Sequence, residues 1–180
     1  GDLVPTPPSS PRIVLVVVDG LRPDVFRYYL DKVAGPDSAF RAMFEQKVDV
    51  TETATSFPSM TFPGHAMLAT GVASGKNGIT GNKFLDRETG TPYALSGGET
   101  MEVSQAFSVY RGEGLANQLL QVQTFYEQMS ASGKYGVVAN HMYFRGAEYL
   151  YPSMTEMLTF TIDVRAYDQS VTNSLLERLE

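Results

Sequence analysis

The chain has 180 residues, 43% apolar and 19% charged, enough for one folded domain with a sizeable core. Its net charge of −6 disfavours a nucleic-acid surface, and no apolar run nears the roughly 20 residues that a bilayer span requires. Cysteine is absent and only two histidines occur, His65 and His141, which excludes disulfides, thiolate metal sites and thiol nucleophiles.

Residues 1–11 hold four prolines and no apolar period, and read as an extended lead-in. Arg12 to Val18 is a β-branched run with no wet face, which predicts a buried central strand of a parallel sheet ending at Asp19-Gly20. Helices are predicted over Pro23–Lys32 and Ser38–Gln46, and a strand over Val48–Thr53. Residues 83–112, rich in Gly, Ser and Thr and with Pro92, predict an irregular insertion or an added hairpin. Beyond it a helix is expected over Leu115–Met129, a second buried strand over Tyr135–Ala139, and an amphipathic helix over Asp163–Glu180. Gly146–Thr159 is ambiguous. Strands alternating with helices argue for an α/β fold with a mostly parallel sheet.

The densest signal lies between Thr55 and Asn82. Thr61 precedes Phe62-Pro63 and the apolar run Ala66–Ala69, which puts a hydroxyl at the mouth of a short helix with Pro63 in its first turn. Free N–H groups and the positive end of the helix dipole make such a mouth a site for anions, phosphate above all. The competing reading makes Thr61 only an N-cap. Asp19 closes the most apolar strand, where a carboxylate must be paired, hydrogen-bonded or metal-bound; capping the Gly20 turn explains it equally well. Gly75, Gly78 and Gly81 imply tight turns and close backbone approach. Asn77-Gly78 is the better turn dipeptide, which leaves Asn82 for another role.

Together, Val14 to Asp24 and Phe57 to His65 resemble the first metal-binding strand and the nucleophile motif of the nucleotide pyrophosphatase/phosphodiesterase family. That family belongs to the alkaline phosphatase superfamily. The interval from Thr61 to Asn82 (82 − 61 = 21) matches the family's spacing from nucleophile to asparagine. The resemblance is strong from Ile13 to Asp86 and loose afterwards. It implies an alkaline-phosphatase-like three-layer sandwich and two metal ions, usually zinc. Asp19 and Thr61 would contact one of them, and a small-molecule phosphate ester would be the substrate. Thr61 would attack phosphorus and form a phospho-threonine that water hydrolyses, while Asn82 and the helix-mouth N–H groups donate to phosphate oxygens. His65 reads as structural, a buried imidazole tying the loop. Asn140 to Gly146 is similar to related bacterial members and is assigned no chemistry.

A two-zinc centre needs about six protein ligands, and this chain offers two histidines and no Asp-His pair. The chain is therefore expected to be the N-terminal part of a longer catalytic domain, 12–180, inactive by itself. The alternatives are a phosphomonoesterase or phosphonoacetate hydrolase of the same superfamily, with Lys83 or Arg145 as an added cation, and a non-catalytic binding domain of this fold. A sulfatase is rejected because Met60 stands where its motif needs arginine. The proline-rich start and the habits of relatives suggest a periplasmic or secreted protein.

Overall fold

The computed structural model describes residues 13–45, 50, 52–95, 114–151 and 163–179. Two compact units divide the chain, Gly1–Thr53 and Ala54–Glu180. Both helices and strands are present, so the fold class is mixed α/β.

In the first unit, Pro23 opens α1 (Pro23–Tyr28) at the position where a missing N–H is harmless, and the helix runs into a π-helical turn, Tyr29–Val33. α2 spans Ala39–Glu45. Phe26 meets the rings of Phe40 and Phe44 edge-on at 5.6 and 5.0 Å, and Arg41 donates to the carbonyls of Leu30 and Ala34. Both predicted helices are thus present, the first ending in the π turn. The apolar run before them differs from expectation. Among the described residues Ile13–Val18 is not a strand; Ile13 is 90% exposed and Val17 38%. Hydrophobicity supplies the motive for burial, but a strand exists only where neighbouring backbones take its N–H and C=O groups, and no described strand does so. Half of the predicted strand Val48–Thr53 (48, 49 and 51), the proline-rich lead-in and residues 96–113 lie outside the described residues, and Val50, Glu52 and Thr53 are not in a strand.

The second unit is built on α3 (Thr61–Thr70). Its buried positions Phe62, Pro63, Ala66, Ala69 and Thr70 fall on one helical face, and Phe62, Ala66 and Ala69 pack with Ile79, Leu95, Ala116, Leu120 and Tyr143. Gly71 ends the helix in the left-handed conformation (φ 70°), its N–H reaching the Met67 carbonyl at 2.7 Å. After the short α4 (Ser74–Asn77), β1 (Lys83–Leu85) and β2 (Pro92–Ala94) pair antiparallel, Phe84 opposite Tyr93, so the start of the predicted insertion is a hairpin.

The predicted helix Leu115–Met129 is two helices, α5 (Leu115–Gln118) and α6 (Phe125–Ala131). The break has a local cause: Thr124 accepts from the Glu127 N–H while Glu127 accepts from the Thr124 N–H, a capping box that starts a helix anew. β3 (Val137–Ala139) pairs in parallel with β4 (Tyr149–Tyr151), Val138 opposite Leu150. The loop joining them, 140–148, is shorter than the roughly dozen residues usual for a parallel crossover. α7 (Val164–Leu179) packs on this pair, Val171 inward, with the Tyr167 hydroxyl donating to Asn140 Oδ1 at 2.6 Å. In place of the expected mostly parallel sheet, the described residues hold two small two-stranded sheets, one of them parallel.

Candidate active site at the mouth of α3

Thr61 is the first residue of α3, and the cap position belongs to Met60, extended at φ −132° and without a side-chain cap bond. The cap position thus lies one residue before the one that the capping alternative gave to Thr61. The cap is supplied from a distance: Asn82 Oδ1 accepts the Phe62 N–H at 3.0 Å. Because a backbone N–H can only donate, this bond fixes the carboxamide's orientation and turns its NH₂ group away from Phe62. The expected row of free N–H groups is correspondingly reduced. Phe62 gives its own to Asn82, Pro63 has none, and the Gly64 N–H reaches the Met60 carbonyl at 2.9 Å.

The glycine-rich stretch delivers Asn82 to this place. Asn77 is fully buried; its Nδ2 donates to the Val72 carbonyl at 2.7 Å and its Oδ1 accepts from the Ile79 N–H at 2.9 Å. Gly78 sits at φ 89°, where a Cβ would come within 2.9 Å of the Gln121 side chain, and a Cβ on Gly81 would approach the Lys83 carbonyl to 2.8 Å. Asn77-Gly78 is thus the turn, as the residue types suggested. The Asn82 carbonyl then accepts from the Leu95 N–H at 2.8 Å, closing the hairpin onto the same residue.

On the other side of the first turn, fully buried Tyr143 donates its hydroxyl to the Phe62 carbonyl at 3.1 Å. Burial pushes its phenol well above the usual range, so it remains a donor. One turn further, His65 Nδ1 lies 2.8 Å from His141 Nε2, and His141 Nδ1 lies 2.9 Å from the carbonyl and 3.2 Å from the N–H of Tyr143. Desolvation holds His141 below its ordinary value, against the Tyr143 contact that raises it, and the neighbouring His65 charge lowers it further. His65, half-buried where a buried imidazole was expected, thus ties the helix to the loop after β3. His141 and Tyr143 carried no sequence signal of their own; only the scarcity of histidine could have suggested that the two pair.

Arg145 is committed elsewhere. Its guanidinium donates to Glu127 Oε1 at 3.0 Å, to the carbonyls of Asn117 and Leu120 at 2.7 and 3.0 Å, and to the Val122 carbonyl at 2.5 Å. Burial raises the Glu127 carboxyl, but the Thr124 N–H and Arg145 outweigh it and leave the group below its usual range. A side chain so employed is not an added cation for a phosphomonoester, which removes Arg145 from that alternative. Lys83 is exposed.

Asp19 belongs to the first unit, exposed in a turn with Gly20 (φ 69°); Thr61 and Asn82 belong to the second. Among the described residues no three His, Asp or Glu side chains gather as a metal centre, and the two imidazoles spend a nitrogen on each other. These residues alone do not make a zinc site. Nor, among them, is any helix long and apolar enough to cross a membrane.

Comparison with known proteins bears on this arrangement. The family model described as type I phosphodiesterase / nucleotide pyrophosphatase matches residues 13–178. A bis(5'-adenosyl)-triphosphatase of Xenopus laevis is 33% identical over 85 residues, 47% of this chain and 18% of that protein. An uncharacterized pyrophosphatase/phosphodiesterase of Schizosaccharomyces pombe is 33% identical over 84 residues, 47% of this chain and 16% of its own length. The chain therefore spans less than a fifth of either relative. No solved structure matches. With nearly its whole length covered by that model, the chain belongs to the type I phosphodiesterase/nucleotide pyrophosphatase family.

Proposed function

We propose that this chain supplies the nucleophile segment of a metal-dependent phosphodiesterase or nucleotide pyrophosphatase that works through a phospho-threonine intermediate. The observation that supports this most is the bond from the Phe62 N–H to Asn82 Oδ1, which sets a carboxamide donor beside the first residue of α3. In this reading the Thr61 oxygen attacks phosphorus in line, the bond to the leaving oxygen breaks, and water then cleaves the phospho-threonine and restores the hydroxyl. The Asn82 NH₂ group donates to a non-bridging oxygen as charge builds there. Zinc is the cofactor of this reading, Asp19 and Thr61 being this chain's contribution and further ligands coming from outside the described residues. Bound zinc would supply a lowered pKa for the hydroxyl.

The accompanying fold is the alkaline-phosphatase-like three-layer sandwich, with 12–180 as the N-terminal part of its catalytic domain. The Xenopus relative's name makes a dinucleoside triphosphate the first natural substrate to assay. A periplasmic or secreted location belongs to the same proposal, and recovery from the cytosol of the source cells would count against it.

The test is hydrolysis of bis-nitrophenyl phosphate by the full-length protein with zinc. Thr61→Ala lowers the rate by at least about 1,000-fold, since nucleophile removal in covalent enzymes costs that much or more. Asn82→Ala lowers it by roughly 100-fold or more, the range for one lost oxyanion donor. Acid quenching finds a phosphoryl group on Thr61. Undiminished turnover by Thr61→Ala would refute the mechanism, and a higher rate on the monoester would shift the reading to a phosphomonoesterase.

A further inference from the structure

The loop after β3 has no part in the chemistry above, yet it holds the first turn of α3 at two points. The Tyr143 hydroxyl takes the Phe62 carbonyl at 3.1 Å, and the Tyr143 ring stands edge-on to Phe62 at 6.4 Å. His141 Nε2 takes His65 Nδ1 at 2.8 Å. Asn82 grips the same peptide unit from the other side through the Phe62 N–H. The residue immediately after Thr61 is therefore held at both its N–H and its C=O, and the residue one turn on, on the same helix face, is held by its ring.

The histidine contact is itself pinned. His141 Nδ1 faces both the N–H and the carbonyl of Tyr143, so either neutral tautomer satisfies the chain from Tyr143 through His141 to His65. In one, His141 accepts from Tyr143 and donates to His65; in the other, both directions reverse. Tyr143 and His141 thus form one brace, built from residues two apart, closing on α3 from a distant part of the sequence.

Resting on the reading of Thr61 as nucleophile, we infer that His141 and Tyr143 are positioning residues, which hold the first turn of α3 so that the Thr61 hydroxyl keeps one orientation. In-line attack is sensitive to such placement, because a displacement of an ångström costs a large part of the rate.

The experiment combines kinetics with methyl NMR of the full-length protein labelled at threonine. In the parent, the three-bond couplings of the Thr61 methyl report a single rotamer. In Tyr143→Phe and His141→Ala they move toward a rotamer average, and kcat on bis-nitrophenyl phosphate falls about tenfold while KM stays within about twofold. His141→Gln, whose amide still reaches His65, recovers part of both. Val138→Ala, a core change of comparable thermal cost away from α3, leaves the couplings and the ratio of kcat to KM as in the parent. Parent-like couplings and kcat in folded Tyr143→Phe and His141→Ala would overturn the inference. If instead the parent shows no diester hydrolysis that depends on Thr61, the diesterase reading fails, and the couplings alone still decide whether the brace places Thr61.

Discussion

Ile13 to Val18 is uninterrupted apolar sequence, whereas Phe62 to Thr70 includes Gly64, His65 and Thr70. Yet the first run is exposed and the second carries the buried core of its unit. What separates them is partnership of the backbone. Among the described residues no strand takes up the N–H and C=O groups of the first run. α3 satisfies its own, and its ends are closed by Asn82 and Tyr143 at one side and Gly71 at the other. Apolar area is worth about 25 cal/mol per Å² only once something covers it. In this chain a few polar residues decide where the covering happens.

The sharpest way to break that contrast is to charge its buried side. Ala66 is fully buried on α3 against the core. Ala66→Asp is expected to cost more than about 4 kcal/mol, as an unpaired carboxylate either stays buried or forces the helix out. Denaturant unfolding measures it, and a cost below about 1 kcal/mol would show that the helix face is not packed as described. Next comes a polar member of the same unit. Fully buried Asn117 accepts from the Phe144 and Arg145 N–H groups at 2.7 and 2.9 Å and donates to the Met142 carbonyl at 2.8 Å. Asn117→Ala strands all three, so a loss of roughly 3 kcal/mol is expected in the same measurement. A neutral result would mean that the loop after β3 is held by something other than this side chain.

These two residues also mark how far the sequence could be read. Thr61 opening a helix, the Asn77-Gly78 turn and the amphipathic last helix were legible because each rests on spacing of a few residues, which local sterics translate directly into structure. The break in the helix after Gln118 was written in Thr124 and Glu127, but a continuing apolar period masked it. Asn117, Arg145, His141 and Tyr143 were not legible in these roles. Their distant partners lie 18 to 81 residues away along the chain, and no periodicity encodes such a distance. The exposed state of Ile13–Val18 was not legible for the opposite reason: composition states a preference for burial but does not name the neighbour.

A smaller effect comes from protons. His141 lies below its ordinary 6.5 in the folded chain, chiefly through burial. The unfolded chain therefore binds the proton more readily, and stability falls as pH drops from above about 6.5 down through the lowered value. Thermal midpoints taken between about pH 8 and 5 should decline on acidification, and His141→Gln should flatten that decline. The His65 imidazole, which faces His141 across 2.8 Å, adds to that lowering through its charge. A midpoint that rises on acidification, or a profile that His141→Gln leaves unchanged, would remove His141 as the titrating group.

The smallest expected effect tests the exposed run. Val16 is 60% exposed, and a charge there meets water, so Val16→Asp should change the unfolding free energy of the 180-residue chain by less than about 0.5 kcal/mol. The proposed sandwich makes a different demand of the full-length protein. There the run is a central strand covered on both faces, and the same substitution buries a carboxylate at a cost of several kcal/mol. The two measurements together separate an intrinsically solvent-facing segment from one whose covering strands lie beyond the described residues. A neutral Val16→Asp in the full-length protein would leave Asp19 without the rigid strand end it needs, and would weaken its assignment as a metal ligand before any metal is added.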